Sequence, residues 1–225
     1  MKLLKIFTIC FVFIFINGCF LFSQNRDAKI WTNFKIEKKI TKKFSLELSE
    51  ELRLFNNVSE AESFFTDFGV VYKHNKYIKF SINYRFLNKR LLNDNFSMRH
   101  RYYVDLSLKK KYKRVIASLR TRFQSQYKDV YRSDNWQTPN NYFRNKVNFE
   151  IDLDKKYTPY LNVELFYQLN NNKGNVIDNV RYSVGFDYEI NKKVSWGLFY
   201  MYEQEYNVKN PFQNFIGGLN FVYTL

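Results

Sequence analysis

Residues 44–54 read FSLELSEELRL. Phe44, Leu46, Leu48, Leu52 and Leu54 fall on one parity, and Ser45, Glu47, Ser49, Glu51 and Arg53 on the other. Successive side chains of an extended chain point to opposite faces, so this spacing predicts a strand with one apolar and one charged face. The pattern recurs with Ile78, Phe80, Ile82, Tyr84 and Phe86 against Lys79, Ser81, Asn83 and Arg85. It recurs again with Met98, Tyr102, Val104, Leu106 and Leu108 against Arg99, Arg101, Tyr103, Asp105 and Ser107. Followed along the chain, the alternation predicts strands near 30–37, 44–54, 64–73, 77–87, 96–108, 114–126, 142–153, 159–169, 179–190, 194–204 and 214–225, with no competing helix.

The segments between them alternate as well. Short lysine-rich turns (38–43, 73–76, 109–113, 154–158, 191–193) exchange with longer polar loops (55–63, 88–95, 127–141, 170–178, 205–213). One end tight and one end loose is the layout of an outer-membrane barrel. The predicted class is therefore all-β, an antiparallel up-and-down transmembrane β-barrel of the outer membrane of a Gram-negative bacterium. Eleven segments are legible, whereas bacterial barrels have even strand numbers. About twelve strands are expected, with one unrecognised in 127–141 or near the N-terminus, and ten is the alternative. A soluble sandwich or lipocalin-like barrel would place Val, Ala and Gly at many inward positions. Here the apolar face is almost entirely Phe, Tyr, Leu and Ile, and Arg, Asp and Glu hold the other.

Composition agrees. Aromatics make up 20% of the 225 residues although mean hydropathy is −0.48, so the chain is polar and aromatic together. Disordered chains are poor in aromatics, and a disulfide scaffold needs more than the two cysteines present. Lys2 and Lys5 precede an apolar run from Ile6 to Ile16, the layout of a secretory signal, so residues 1–24 are expected to be removed and 25–225 to form the barrel. Cleavage near Ser23 and Gln24 is the first reading. Lipid attachment at Cys19, within Ile16-Asn17-Gly18-Cys19, is the second.

Fourteen lysines sit in the five tight turns, nearly the whole net charge of +15. They predict a basic rim that meets membrane headgroups rather than a nucleic acid, which would require a basic groove with stacking aromatics on a soluble face. Inward parity gathers Glu51, Arg53, Arg85, Arg99, Arg101, Arg120, Arg122, Arg144, Glu150 and Glu164, together with Lys146 and further acids. In a narrow lumen such charges are expected to interlock as ion pairs, and an arginine-rich wall would favour anions if the lumen were open.

Catalytic and metal sites find little support. His74 lies in a tight turn and His100 shares the parity of Met98 and Tyr102, so neither sits beside a nucleophile and an acid. No Cys/His cluster, glycine-rich phosphate loop or calcium loop occurs. No catalytic residue, metal or cofactor is expected. A lipid-acting or peptidase barrel with a carboxylate-based site at the extracellular rim is the alternative to a structural barrel or narrow pore.

Several short motifs carry a resemblance. Ala28 to Trp31, Glu51-Leu52-Arg53, Tyr84-Arg85, Arg99-His100-Arg101-Tyr102, Leu119-Arg120-Thr121-Arg122, Thr158-Pro159-Tyr160 with Glu164, and Gly217-Gly218-Leu219 together resemble an uncharacterised outer-membrane family of Bacteroidota, known only as a domain of unknown function. The resemblance implies a barrel in the outer membrane and supplies no activity. Phe215, Leu219, Phe221, Tyr223 and Leu225 resemble the terminal signal read by the outer-membrane assembly machinery. The expected partners are that machinery and outer-membrane lipids, and the expected state is a monomer.

Overall fold

The computed structural model describes residues 25–91, 93–128, 139–171 and 174–225. Eleven strands follow one another: β1 (Asn25–Lys39), β2 (Phe44–Phe55), β3 (Glu60–Lys73), β4 (Ile78–Arg90), β5 (Phe96–Tyr112), β6 (Val115–Lys128), β7 (Asn140–Ile151), β8 (Tyr157–Gln168), β9 (Val176–Glu189), β10 (Val194–Glu205) and β11 (Phe212–Thr224). Each pairs antiparallel with its chain neighbours, and β1 returns to β11 to close a barrel.

The strand number corrects the expectation of twelve. Among the described residues eleven strands complete the wall, and an odd count forces the first and last strands to run the same way. The β1–β11 seam is accordingly parallel, with Asn25 opposite Phe212 and Glu37 opposite Thr224. β1 therefore begins at the loop rim, while β11 ends at the turn rim, where the Leu225 amide donates to the Glu37 carbonyl at 2.8 Å. The signal segment 1–24 with Cys19, and most of the 127–141 stretch considered for a further strand, lie outside the described residues.

Three of the tight turns share one chemistry. Thr41 Oγ1 accepts from the amides of Lys43 and Phe44 at 3.1 and 3.0 Å. Asn75 Oδ1 does the same for Tyr77 and Ile78, and Asn191 Oδ1 for Lys193 and Val194, all within 2.8–3.0 Å. A short polar side chain that satisfies amides two and three residues ahead fixes the reversal, and the lysines between stay exposed.

At the other rim two connections are shorter than expected. The β2–β3 connection is only residues 56–59, with Asn56, Asn57 and Val58 at φ 53°, 54° and 70°. Asp27 of β1 holds it, accepting from the amides of Asn56 and Asn57 at 3.2 and 2.9 Å. The β4–β5 connection, between Arg90 and Phe96, is likewise shorter than the 88–95 read from the sequence.

The side-chain parity reads as anticipated, and the barrel is inside out relative to a soluble protein. Phe80, Ile82, Tyr102, Val104 and Leu165 are exposed on the outer wall, whereas Asp67, Arg122, Arg144 and Glu164 are buried within. The outward polar groups are paired across strands: Thr66 Oγ1 donates to Glu50 at 3.0 Å, Thr121 to Asn145 at 2.9 Å, Ser125 to Asn141 at 2.6 Å, and Tyr84 meets His100 Nδ1 at 2.7 Å. Such pairing lowers the cost of placing polar groups against hydrocarbon. A wall of this kind requires lipid outside it. Val104, midway along β5 and outward, reports the environment directly: Val104→Arg is expected to destabilise the bilayer-embedded barrel by about 2–4 kcal/mol, read from denaturant titrations of heat-modifiable gel mobility.

Candidate functional site: an arginine-lined lumen

Inward positions of β2, β4, β5, β6, β7 and β9 carry arginines, and Arg53, Arg85, Arg122 and Arg144 each sit between a carboxylate and a ring. Arg53 Nε meets Glu51 at 2.6 Å while its guanidinium lies 3.5 Å from the centre of the Trp31 ring and 4.5 Å from that of Phe65. Arg85 donates twice to Asp67, at 2.7 and 2.5 Å, and Tyr103 adds a third bond to the same oxygen at 2.7 Å. Arg122 forks onto Asp105 with two bonds of 2.7 Å and covers Tyr103 at 3.7 Å. Glu164 is shared by Arg120 and Arg144, and Arg144 covers Phe166 at 4.1 Å. Planar guanidinium groups bond in their plane and stack through their faces, so one arginine serves both contacts at once.

Trp31, Phe65, Tyr103 and Phe166 face the lumen and serve as the stacking surfaces, Tyr103 as its parity with Arg101 and Asp105 predicts. Their even or odd spacing with neighbouring inward residues was a usable signal, since Trp31 shares parity with Lys29 and Asn33. Arg181 is a member that sequence reasoning missed although its parity matches Asp187. It meets Glu203 at 2.8 Å and lies over both Phe166 and Trp31, at 4.5 and 5.0 Å.

Two carboxylates could not be found by alternation. Register shifts between Arg53/Leu54 and between Phe166/Tyr167 mark β-bulges, and the extra residues are Glu62 and Asp178. A bulge inserts one residue and re-aims its side chain. Glu62 then lies 3.4 Å from Lys29, and Asp178 accepts from Tyr142 at 2.7 Å, so both acids stand near the loop rim of the lumen.

The interior holds three cavities in series. The first, about 590 Å³, is lined by Glu51, Arg53, Arg85, Arg99, Arg101, Arg120, Arg122, Arg144 and Glu164, nine of the ten residues expected to form the lumen network. Glu150 is the exception. It lies toward the turn rim, 3.1 Å from Lys109, and lines a neck of about 310 Å³ and a lower cavity of about 820 Å³. Neck and first cavity share Arg120, Lys146, Tyr160 and Asn162, and neck and lower cavity share Ser118 and Glu150. Tyr160 is seated at the neck by Gly185, where an added Cβ would stand 2.8 Å from the phenol.

Cations outnumber their partners in the first cavity. Arg101 donates to Gln126 Oε1 at 3.0 and 2.5 Å, and neither it nor Lys146 has a carboxylate within 4 Å among the described residues. Trp31 Nε1, Arg120 Nε, Asp178 Oδ1 and Ser183 Oγ are buried without a protein partner there. Polar atoms in such positions call for water or solute. At the turn rim, Asp152 accepts from Lys111 at 2.5 Å, a bond that holds its carboxyl below the usual range. Among the described residues no group of three His, Cys, Asp or Glu side chains could hold a metal ion.

A closed strand wall with an apolar exterior and a charged, hollow interior defines a membrane-spanning β-barrel. The chain belongs to the family of proteins of unknown function DUF2490, which matches residues 28–214. No curated protein sequence matches it. Among solved structures it is similar to the NanC porin in a rhombohedral crystal form, at 14% identity over 78% of this chain and 86% of that one, with a TM-score of 0.48. It is also similar to the translocator domain of the autotransporter NalP from Neisseria meningitidis, at 10% identity over 77% and 71% of the two chains, with a TM-score of 0.34.

Glu164 neutralises two arginines, so Glu164→Gln is expected to destabilise the barrel by about 3–5 kcal/mol by leaving Arg120 and Arg144 uncompensated. Adding Arg144→Gln should recover part of that loss, as seen in a double-mutant cycle of unfolding in lipid.

Proposed function

We propose that the chain is a narrow pore of the outer membrane that favours anions and performs no catalysis. One observation carries this reading: Arg101 and Lys146 face a cavity that adjoins two more toward the turn rim, with no carboxylate within 4 Å of either among the described residues. Paired arginines are electrically spent, whereas an unpaired cation beside a passage attracts a mobile anion. Eleven strands also enclose an interior between the side-chain-filled eight-stranded barrel and the open sixteen-stranded channel.

The outer-membrane assignment rests on the closed barrel and the outward row Phe215, Leu219, Phe221 and Tyr223 on β11, a terminal strand suited to the assembly machinery. The reading without catalysis rests on the histidines, since His100 is bonded to Tyr84 on the outer wall and His74 lies in a turn. A monomer accounts for the fold, because every described strand is paired within the chain.

Purified protein in a planar bilayer is expected to show discrete, anion-preferring steps. Arg101→Gln and Lys146→Gln should each lower the anion-to-cation permeability ratio severalfold without changing heat-modifiable mobility. A correctly folded barrel that stays silent in the bilayer, or whose selectivity ignores both substitutions, would overturn the pore.

A further inference from the structure

The outer wall has a groove at its turn rim. It is about 570 Å³ and is lined by Tyr77, Leu108, Ala117, Leu119 and Val147, with Lys110 at its end. The register explains the hollow. Ala117 on β6 stands between Lys110 on β5 and Phe149 on β7, so a small side chain lies among long ones. Leu108, Leu119 and Val147 continue the groove toward the middle of the wall, all about 40% exposed.

The run Lys109-Lys110-Lys111 divides by parity. Lys109 and Lys111 turn to the inner side and meet Glu150 at 3.1 Å and Asp152 at 2.5 Å. Lys110 turns outward and has no carboxylate within 4 Å among the described residues. Tyr77, which lines the groove, has Lys76 Nζ 5.0 Å from the centre of its ring. Lys113 over Tyr112 at 5.6 Å and Lys155 over Tyr157 at 5.7 Å repeat the pairing along this rim. Tyrosine and lysine together mark the level of the headgroups, where a ring lies half in the apolar layer and an ammonium reaches the aqueous side.

From this arrangement we infer a binding site for one anionic glycerophospholipid, its phosphate held by Lys110 and one acyl chain laid along Leu108, Ala117, Leu119 and Val147. The inference rests on the membrane-spanning reading of the barrel and is independent of conduction through the lumen. Charge selects the occupant. A zwitterionic lipid offers its phosphate together with a cation that the lysines repel, and a second copy of this chain would bring another lysine rim against the first.

The test uses the full chain in nanodiscs of equal phosphatidylglycerol and phosphatidylcholine, followed by detergent extraction and native mass spectrometry of retained lipid. The wild type should keep one phosphatidylglycerol in preference to phosphatidylcholine. Lys110→Gln should weaken that preference by about fivefold, the order of one lysine's attraction to an anionic surface. Ala117→Phe fills the groove and should abolish retention, while Lys192→Gln, on a distant turn, should leave it unchanged. Equal retention of both lipids overturns the site. So does an equal effect of Lys192→Gln, which would mean only diffuse attraction, or a dimer that shields Lys110 from chemical labelling. Heat-modifiable mobility is measured on every variant, so a failed lipid preference in a folded, inserted barrel is distinguishable from failure of the membrane reading.

Discussion

Hydrocarbon offers backbone amides no hydrogen bonds, and the rest of this structure depends on that constraint. A strand edge left in the bilayer would expose a row of unpaired donors and acceptors, so the sheet must close on itself. With eleven strands the closure requires a parallel seam, and β1 meets β11 along nearly its full length, from Asn25 to Glu37. The seam in turn sets the ends of the barrel apart, with β1 starting at the loop rim and β11 finishing at the turn rim.

Closure also divides the side chains into two solvents. The outer wall meets lipid with Phe, Tyr, Leu, Ile and Val, and its few polar groups find partners across strands, as Glu50 does with Thr66. The inner wall is too narrow to be bulk water and too charged to be a dry core. Arg53, Arg85, Arg122 and Arg144 answer both conditions: carboxylates neutralise them in their plane, and Trp31, Phe65, Tyr103 and Phe166 cover their faces. Charge is then graded along the axis. Bulged acids stand near the loop rim, arginines fill the middle, and lysines crowd the turns.

Much of this was legible in the residues. FSLELSEELRL announces a two-faced strand because strand geometry has a period of two, and the same arithmetic assigns Arg85, Arg101, Arg122 and Glu164 to one interior. Three of the lysine turns were equally plain, because Thr41, Asn75 and Asn191 accept from amides two and three positions ahead. Glu62 and Asp178 escaped the arithmetic, since a bulge breaks the alternation and no local residue type requires one. Trp31 shows the same limit from the other side: parity names a face, whereas composition names only a preference.

The sequence by itself determined the strands, the parity of their side chains and the basic rim, because all three follow from interactions between residues near in the chain. Only the tertiary structure decided the strand number that closes the wall, the parallel seam and the pairing of Arg53, Arg85, Arg122 and Arg144 with their acids and rings. Those choices depend on the stagger accumulated around a ring of strands. The stagger sets which residue of β8 faces which residue of β6 across β7, and so places Glu164 between Arg120 and Arg144 while leaving Arg101 and Lys146 without an acid beside them.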